Sequence, residues 1–345
     1  MNALSPNGTE LLRVSDLTKH FPPRKNLFGQ RGNTVRAVDG VSLTIQPGET
    51  LGLVGESGCG KSTFGRCIVR LYDPTSGDIS YRRADGIEVD LANISGDALK
   101  RVRREIRMIF QDPRSSLDPR MSVAGIVGEP IRLAGERRSA VIRERVAELL
   151  TQVGLREDHM DRFPHAFSGG ERQRIGIARA LALNPRLVVA DEAVSALDVS
   201  VQAQILNLLQ DLQEKLGLTY LFISHDLGVI EHLSTRVAVM YVGRLVELAP
   251  SAALFARPRH PYTEALLSAV PIEDPAKAGT HTRIRLSGEI ADPSAVPVGC
   301  PFHPRCRYAA DMCRTEVPVL RNVDGGHLAA CHFAEQLQLE GASDT

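Results

Sequence analysis

"TLGLVGESGCGKST", residues 50–63, is the stretch on which the reading of the whole chain turns. An apolar run of strand length breaks at Gly55, and a helical stretch opens at Lys61. Between them the residues fit G-x-x-x-x-G-K-[ST], in the strand–loop–helix context that the pattern needs. Glycines let backbone amides wrap phosphates, the lysine reaches the β- and γ-phosphates, and the following hydroxyl is offered to Mg²⁺. Gly55, Glu56, Ser57, Gly58, Cys59, Gly60, Lys61, Ser62 and Thr63 are thus the expected cradle of a nucleoside triphosphate. Cys59 stands at the helix start, where a thiol's pKa is expected to fall.

Outward from that loop, "VSLTI" (41–45), "RLVVAD" (186–191) and "TYLFIS" (219–224) read as further strands. Residues 139–153 place Ile142, Val146, Leu149, Leu150 and Val153 on one helical face. Residues 200–216 do the same with Val201, Ile205, Leu208, Leu209, Leu212 and Leu216. Near-continuous apolar strands separated by helices predict a sheet covered on both faces, an α/β fold. Residues 112–166 carry no buried-strand pattern and read as a helical insert. Beyond "RVAVMYVGRLVEL" (236–248) prolines multiply and periodicity fades, which places a boundary near 255–275 and divides the chain into 1–255 and 256–345.

"RLVVADE" supplies a second half to the site. Asp191 leaves a buried strand where it can hold the water shell of Mg²⁺. Glu192 follows at once, placed to polarise an attacking water as a general base. "FISHDL" (222–227) ends another strand on His225, a candidate γ-phosphate contact. A DE pair or a strand-end histidine alone reads as ordinary solvation; beside the phosphate loop both read as chemistry.

"FSGGERQRIGIARALA" (167–182) opens a helix with an internal tension. Ser168 and Glu171 form a capping box, yet Gly169 and Gly170 weaken the same first turn by about 1 kcal/mol each. A helix N-terminus is a ready anion site, and residues without side chains let a phosphate approach its amides. Since the γ-phosphate is already held at the first loop, the second is expected to serve the nucleotide of a partner chain, with two subunits closing head to tail.

The phosphate loop, "MIFQDP" (108–113), "FSGGERQR", "VVADEAVSALD" and "FISHD", in this order, resemble an ATP-binding cassette ATPase over roughly residues 10–255. The resemblance implies a P-loop NTPase of ABC type with an antiparallel β subdomain, and a Gln111 that links Mg²⁺ to the transmembrane partner. It also implies that "SALD" (195–198), with Asp198, contacts the opposite subunit, and that Phe21 stacks on adenine; a plain core phenylalanine is the other reading of that residue. Phe167 stands where leucine is commonest, and Ala193–Val194 where proline and threonine often follow. Neither change removes a ligand, so a competent ATPase is expected.

More narrowly, "QDPRSSLDPRMSV" (111–123), "RHPYTEALLSAVP" (259–271) and "GCPFHPRCRYAADMC" (299–313) are similar to the ATPase subunits of dipeptide, oligopeptide and nickel importers. That likeness covers almost the whole chain and leans toward the second ATPase of the pair. It implies a different ATPase as partner in a heterodimer, two membrane permeases, and a solute-binding protein met only indirectly. The solute itself is not touched by such a subunit, so peptides, nickel chelates, opines and sugars stay open.

Cys300, Cys306, Cys313 and Cys331 are spaced C-x5-C-x6-C-x17-C, with His303, His327 and His332 nearby. Structural zinc prefers pairs two to four residues apart. Four thiolates on irregular loops also suit a [4Fe–4S] cluster, which relatives in the importer family are thought to carry. Iron–sulfur cluster, Zn²⁺ and unligated thiols all stay open.

Forty-one basic residues balance 41 acidic ones, so no global field draws the chain to nucleic acid or acidic lipid. "KRVRREIR" (100–107) lacks aromatics for base stacking and reads as a solvated helix face. The insertion at 22–35, with Arg24, Lys25 and Arg31, reads as a solvated loop or a membrane-surface contact. With no signal peptide and no apolar run of about eighteen residues, the expected place is the cytoplasmic face of the inner membrane, as a peripheral subunit. Two other functions are weighed: a soluble cassette ATPase acting on nucleic acid or ribosomes, and a regulatory module with a vestigial ATPase. The first lacks its usual coiled coil or second cassette; the second is opposed by the complete catalytic set.

Overall fold

The computed structural model describes residues 10–23, 33–112, 116–270 and 284–342. Arg24, Lys25 and Arg31 of the basic insertion lie outside them. Two long antiparallel strands come first, β1 (Leu12–Phe21) and β2 (Val35–Ile45), with Leu12 opposite Ile45 and Val14 opposite Leu43, all four fully buried. The wholly buried β3 (Thr50–Val54) runs into α1 (Lys61–Ile68). The chain then returns through β4 (Ser76–Arg82) and β5 (Glu88–Asp90) to complete a four-stranded antiparallel sheet in the order β2-β1-β4-β5.

Next come α2 (Gly96–Glu105) and β6 (Ile106–Ile109). In the basic run Lys100, Arg101, Arg103 and Arg104 face solvent while Val102 is buried, as a solvated amphipathic face requires. The helical insert is α3 (Val123–Leu133) and α4 (Ser139–Gln152), packed on each other and on α5 (Gly169–Leu181). Ile142, Val146, Leu149 and Leu150 do turn to the core, and no strand occurs among the described residues of 112–166. Then follow β7 (Leu187–Asp191), α6 (Val199–Leu216), β8 (Thr219–Ile223), α7 (Leu227–Leu233) and the hairpin β9 (Arg236–Tyr241)–β10 (Arg244–Pro250).

The second sheet runs β11-β12-β10-β9-β3-β8-β7-β6 in space, with the five strands from β9 to β6 parallel. Its two outermost strands, β11 (Arg321–Asp324) and β12 (His327–Ala329), come from the far end of the chain. Parallel strands buried on both faces must be apolar throughout, which is why β3, β7 and β8 carry no alternation. Their register sets Leu53, Ile223 and Asp191 side by side, so the segments that leave β3, β8 and β7 emerge at one edge. In open α/β sheets that edge, at the carboxyl ends of the strands, is where ligands bind.

The C-terminal extension is not a free appendage. After α8 (Ser251–Ala256) it contains the short helices α9 (Pro261–Leu267) and α10 (Asp311–Thr315), and β12 pairs with β10 through Leu328 and Ala329. Glu247 of β10, fully buried, accepts the amides of Arg259 (2.6 Å) and His260 (3.1 Å) and lies 2.6 Å from His327 Nε2. His260 Nδ1 in turn accepts the Tyr262 amide at 3.0 Å and caps α9. This histidine is 1% exposed, and burial pushes its pKa down from 6.5 to about 3.

A folded pKa below the unfolded one means that the unfolded chain takes the proton first as pH falls. The neutral His260 therefore contributes stability that is full above pH 6.5 and is lost as pH falls from there toward 3. At pH 5 the loss from this group is about 2 kcal/mol. Thermal unfolding at pH 7.5 and pH 5 should show it, and His260→Asn, which keeps a capping acceptor, should show a shallower dependence; an equal slope would remove His260 as the cause.

Candidate active site

The phosphate loop is shaped by close packing. Gly55 (φ 150°) and Gly60 (φ 109°) adopt conformations that L side chains rarely take, and a Cβ on them would lie 2.2 Å from the Met240 carbonyl and 2.0 Å from the Ala37 carbonyl. α1 begins at Gly60 without a side-chain cap, which leaves its first-turn amides to a ligand. Lys61, 3% exposed, donates from Nζ to the carbonyls of Gly55 (2.6 Å) and Glu56 (3.0 Å).

Above the loop opens a cleft of about 400 Å³. Ser57, Gly58, Gly60, Lys61, Ser62 and Thr63 form its floor, and Gln111, Glu192 and His225 its far wall. Val35, Ala37 and Pro293 also line it, and no motif marked them. Asp191 stands behind Ser62: the Ser62 hydroxyl donates to Asp191 Oδ1 at 2.7 Å. Burial raises the Asp191 carboxyl above its ordinary range, against the opposing effects of Ser62 and Arg66.

The three candidate catalytic side chains meet on one atom. Gln111 Nε2 donates to Glu192 Oε2 at 2.7 Å, and His225 Nδ1 lies 3.4 Å from the same oxygen. Glu192 sits at φ 48°, an uncommon conformation for a residue with a side chain. Its N–H donates to Ile223 O (3.0 Å), and its carbonyl accepts from Ser195 Oγ (3.0 Å), which fixes it there. Such strain concentrates at functional sites.

Other expected residues stand elsewhere. Phe21 is outside the cleft lining; its ring meets Tyr72 edge-on at 5.6 Å, with Lys19 Nζ 5.1 Å from its centroid. The Glu56 side chain is held by Arg305, and its N–H by Tyr262. The expectation for the Cys59 thiol is overturned. The side chain is 2% exposed, and burial raises its pKa more than Lys61, 3.8 Å away, can lower it.

Ser168, Gly169, Gly170 and Asp198 do not line the cleft of their own chain. The capping box forms as expected: Ser168 Oγ accepts the Glu171 amide (3.3 Å), and Glu171 Oε2 accepts the Ser168 amide (2.9 Å). The two glycines differ. Gly169 is exposed, and a Cβ there would meet only Leu197 at 3.5 Å. Gly170 is buried, and its Cβ would lie 2.4 Å from Val201 Cγ1. Close approach to an anion is thus an argument for Gly169, whereas Gly170 is required by the packing of α5 on α6. Asp198 caps α6, accepting from the Val201 amide (3.0 Å) and Ser200 Oγ (2.8 Å), and these bonds hold its carboxyl below the usual range.

Cys300, Cys306, Cys313 and Cys331 converge on one small cavity of about 20 Å³, walled also by Phe302 and Phe333. None is in a disulfide, and burial pushes the thiols of Cys300, Cys306 and Cys331 up to about 11. The neighbouring imidazoles are engaged elsewhere, His303 with Cys300 O, His332 with Glu316 O and His327 with Glu247. Among the described residues no three histidine, cysteine or acidic side chains are grouped to hold a single metal ion.

Residues 38–195 match the family model described as ABC transporter, and residues 246–313 match oligopeptide/dipeptide transporter, C-terminal region. The chain is 49% identical over 328 residues to the oligopeptide transport ATP-binding protein AppF of Bacillus subtilis, covering 95% of this chain and 98% of that one. It is 52% identical over 326 residues to a probable peptide ABC transporter ATP-binding protein of Sinorhizobium fredii, covering 93% and 89%. Among solved structures it is similar to a dimeric ATP-binding cassette in a post-hydrolysis state bound to ADP and Pi, with a TM-score of 0.60 and 29% identity over 70% of this chain and 98% of that one. It is also similar to cbiO1 of Clostridium perfringens, part of the ABC transporter complex cbiONQ, with a TM-score of 0.60 and 27% identity over 72% and 91%.

The packing at the two glycines predicts opposite outcomes for one methyl group. Gly170→Ala, forced against Val201, should lower stability by roughly 1–3 kcal/mol, whereas Gly169→Ala should leave it nearly unchanged. Urea unfolding of the two variants decides this, and equal stabilities would remove the packing role of Gly170.

Proposed function

The chain belongs to the ABC transporter family as an ATP-binding, ATP-hydrolysing subunit, and from that premise we propose how its residues divide the work. ATP lies in the cleft with its phosphates on the amides of residues 57–63 and on Lys61. When bound, Mg²⁺ supplies a counter-charge for the β- and γ-phosphates. The Ser62–Asp191 pair suits that ion, since a hydroxyl and a carboxylate 2.7 Å apart offer hard oxygen ligands beside the phosphate loop. Glu192 accepts a proton from the attacking water, Gln111 orients it and the ion, and His225 contacts the γ-phosphate. What supports these roles is the meeting of Gln111 and His225 on one carboxylate oxygen of Glu192 at the wall of the cleft. Phe21 is assigned to the adenine.

The remaining donors come from a second ATPase subunit. Ser168, Gly169, Gly170 and Asp198 of each chain cover the nucleotide of the other, head to tail. Their position away from their own cleft supports this reading, as does Val199, 84% exposed beside Asp198. The full assembly pairs this chain with a different ATPase beneath two permeases, at the cytoplasmic face of the membrane. Among the described residues no helix is long and apolar enough to cross a membrane. The relatives from B. subtilis and S. fredii, named for oligopeptide and peptide transport, bring peptides to this chain as the solute.

Glu192→Gln should slow ATP turnover by on the order of 10²–10⁴-fold. It should leave ATP binding intact and stabilise an ATP-loaded dimer, read by gel filtration with and without nucleotide. Near-normal turnover would overturn Glu192 as the base, and ATP hydrolysis by dilute monomers at the rate per chain of the assembled complex would overturn the shared site.

For the four-cysteine cavity we infer a [4Fe–4S] cluster rather than zinc. Four thiols outside any disulfide that line one small cavity support it. Thiols with pKa values near 11 stay protonated unless iron takes their protons, so binding should release protons. Protein purified without oxygen should contain matching iron and acid-labile sulfide and little zinc, and Cys306→Ser should lose both; iron content unchanged in that variant would end the assignment.

A further inference from the structure

The second residue of the phosphate loop is held from outside the cassette. Glu56 turns its carboxylate away from the cleft to Arg305, which donates two parallel hydrogen bonds, Nη1 to Oε2 at 2.6 Å and Nη2 to Oε1 at 2.9 Å. The Glu56 N–H donates to Tyr262 Oη at 2.8 Å. Its carbonyl accepts from Lys61 Nζ at 3.0 Å. One residue is therefore gripped at carboxylate, amide and carbonyl, and the last grip is on the lysine that reaches for the phosphates.

Both outside partners belong to the C-terminal extension and are themselves fixed. Tyr262 is fully buried, its ring 4.7 Å from that of Tyr241 and 5.4 Å from that of Phe302. The Arg305 side chain is 7% exposed, and its guanidinium stands 6.0 Å from the Tyr241 centroid. A third contact lies at the cleft mouth, where Pro293, also from the extension, accepts the Arg36 N–H at 3.0 Å and lines the cavity. A fork-to-fork arginine–carboxylate pair fixes direction as well as distance, which a lysine cannot do.

We propose that Arg305 and Tyr262 are positioning residues for the triphosphate, through which the C-terminal extension sets the phosphate loop and Lys61 of its own chain. Neither side chain touches the nucleotide. Their effect passes through the Glu56 peptide to Lys61, so their loss weakens binding of the phosphates without removing a ligand. The inference rests on the cleft being the ATP site.

The test is the Kd of Mg-ATP on the full-length protein, with the melting temperature recorded for each variant. Arg305→Gln and Glu56→Gln should each weaken ATP by roughly tenfold, since small misplacements of a positioned group are costly. The double variant should be no worse than either single one, because both remove the same interaction. Arg305→Lys should recover only part of the loss, and the exchange Glu56→Arg with Arg305→Glu should recover more. Tyr262→Phe, which deletes one hydroxyl and keeps the ring, should weaken ATP while lowering the melting temperature by only a few degrees, roughly the loss of one buried hydrogen bond, and it carries the test where Arg305→Gln does not fold. An unchanged Kd in Arg305→Gln or, where that variant does not fold, in Tyr262→Phe overturns the proposal, as does a double variant whose losses add. Lys61→Ala separates the two readings. If it binds ATP as well as the parent protein does, the cleft assignment fails and takes the proposal with it; if it binds none while Arg305→Gln matches the parent, only the positioning role fails.

Discussion

The hydrogen bond from Ser62 to Asp191 joins segments 129 residues apart, and the site exists only where that join is made. Neither side chain could be placed by its own loop. The placement comes from three parallel strands whose register sets Leu53, Ile223 and Asp191 in a row. Because side chains alternate along a strand, a slip of one residue would turn Asp191 into the sheet's other face and break the pair. The complete burial of β3, β7 and β8 is thus part of the chemistry. Burial on both faces holds the register that lines up the loop, the carboxylate and the residues after β8.

A second constraint acts at the opposite end of the cassette. Gly170 lets α5 touch α6 through Val201, and the Val201 amide is bonded to the Asp198 carboxylate. The turn at Ser168–Gly170 and the "SALD" turn therefore meet on one residue, Val201. In the head-to-tail closure proposed above, two contact points joined through one residue lose less freedom on association than two independent loops.

The fold was legible in the sequence wherever a segment's neighbours in the chain are also its neighbours in space. The phosphate loop, the apolar strands, the amphipathic α4 and α6 and the capping box at Ser168 are all local patterns. Glu192 and His225 were legible because each ends or follows an apolar strand, and Gln111 through the family resemblance alone, although only the sheet order brings the three to one oxygen. One reading failed because burial cannot be read from position in a loop. Cys59 looked like an activated thiol at a helix start, but the hairpin strand carrying Met240 covers the loop and withdraws it from water. Gly170 has a packing role that the sequence did not show, since a helix that begins some thirty residues later fills the space beside it. Glu56–Arg305 had no signal at all, since a salt bridge across 249 residues leaves no spacing to recognise.

The extension shows how a segment with little periodicity can still be ordered. Its few short helices cannot bury a core of their own, so it relies on buried polar anchors. Glu247 gathers two amides and His327, and Glu264, 2% exposed, gathers Arg307, Tyr308 and the Glu340 amide. Buried carboxylates are tolerated only when well partnered, and the partners here come from several parts of the chain, 259–260 and 327 for Glu247 and 307–308 and 340 for Glu264. Each of these carboxylates joins several segments of the extension to one another, and the phosphate loop is tied to the same extension at Glu56. The irregular sequence after residue 255 therefore reaches the first loop of the protein through polar contacts at Glu56, beside the apolar packing of Tyr262 and Phe302 into the main core.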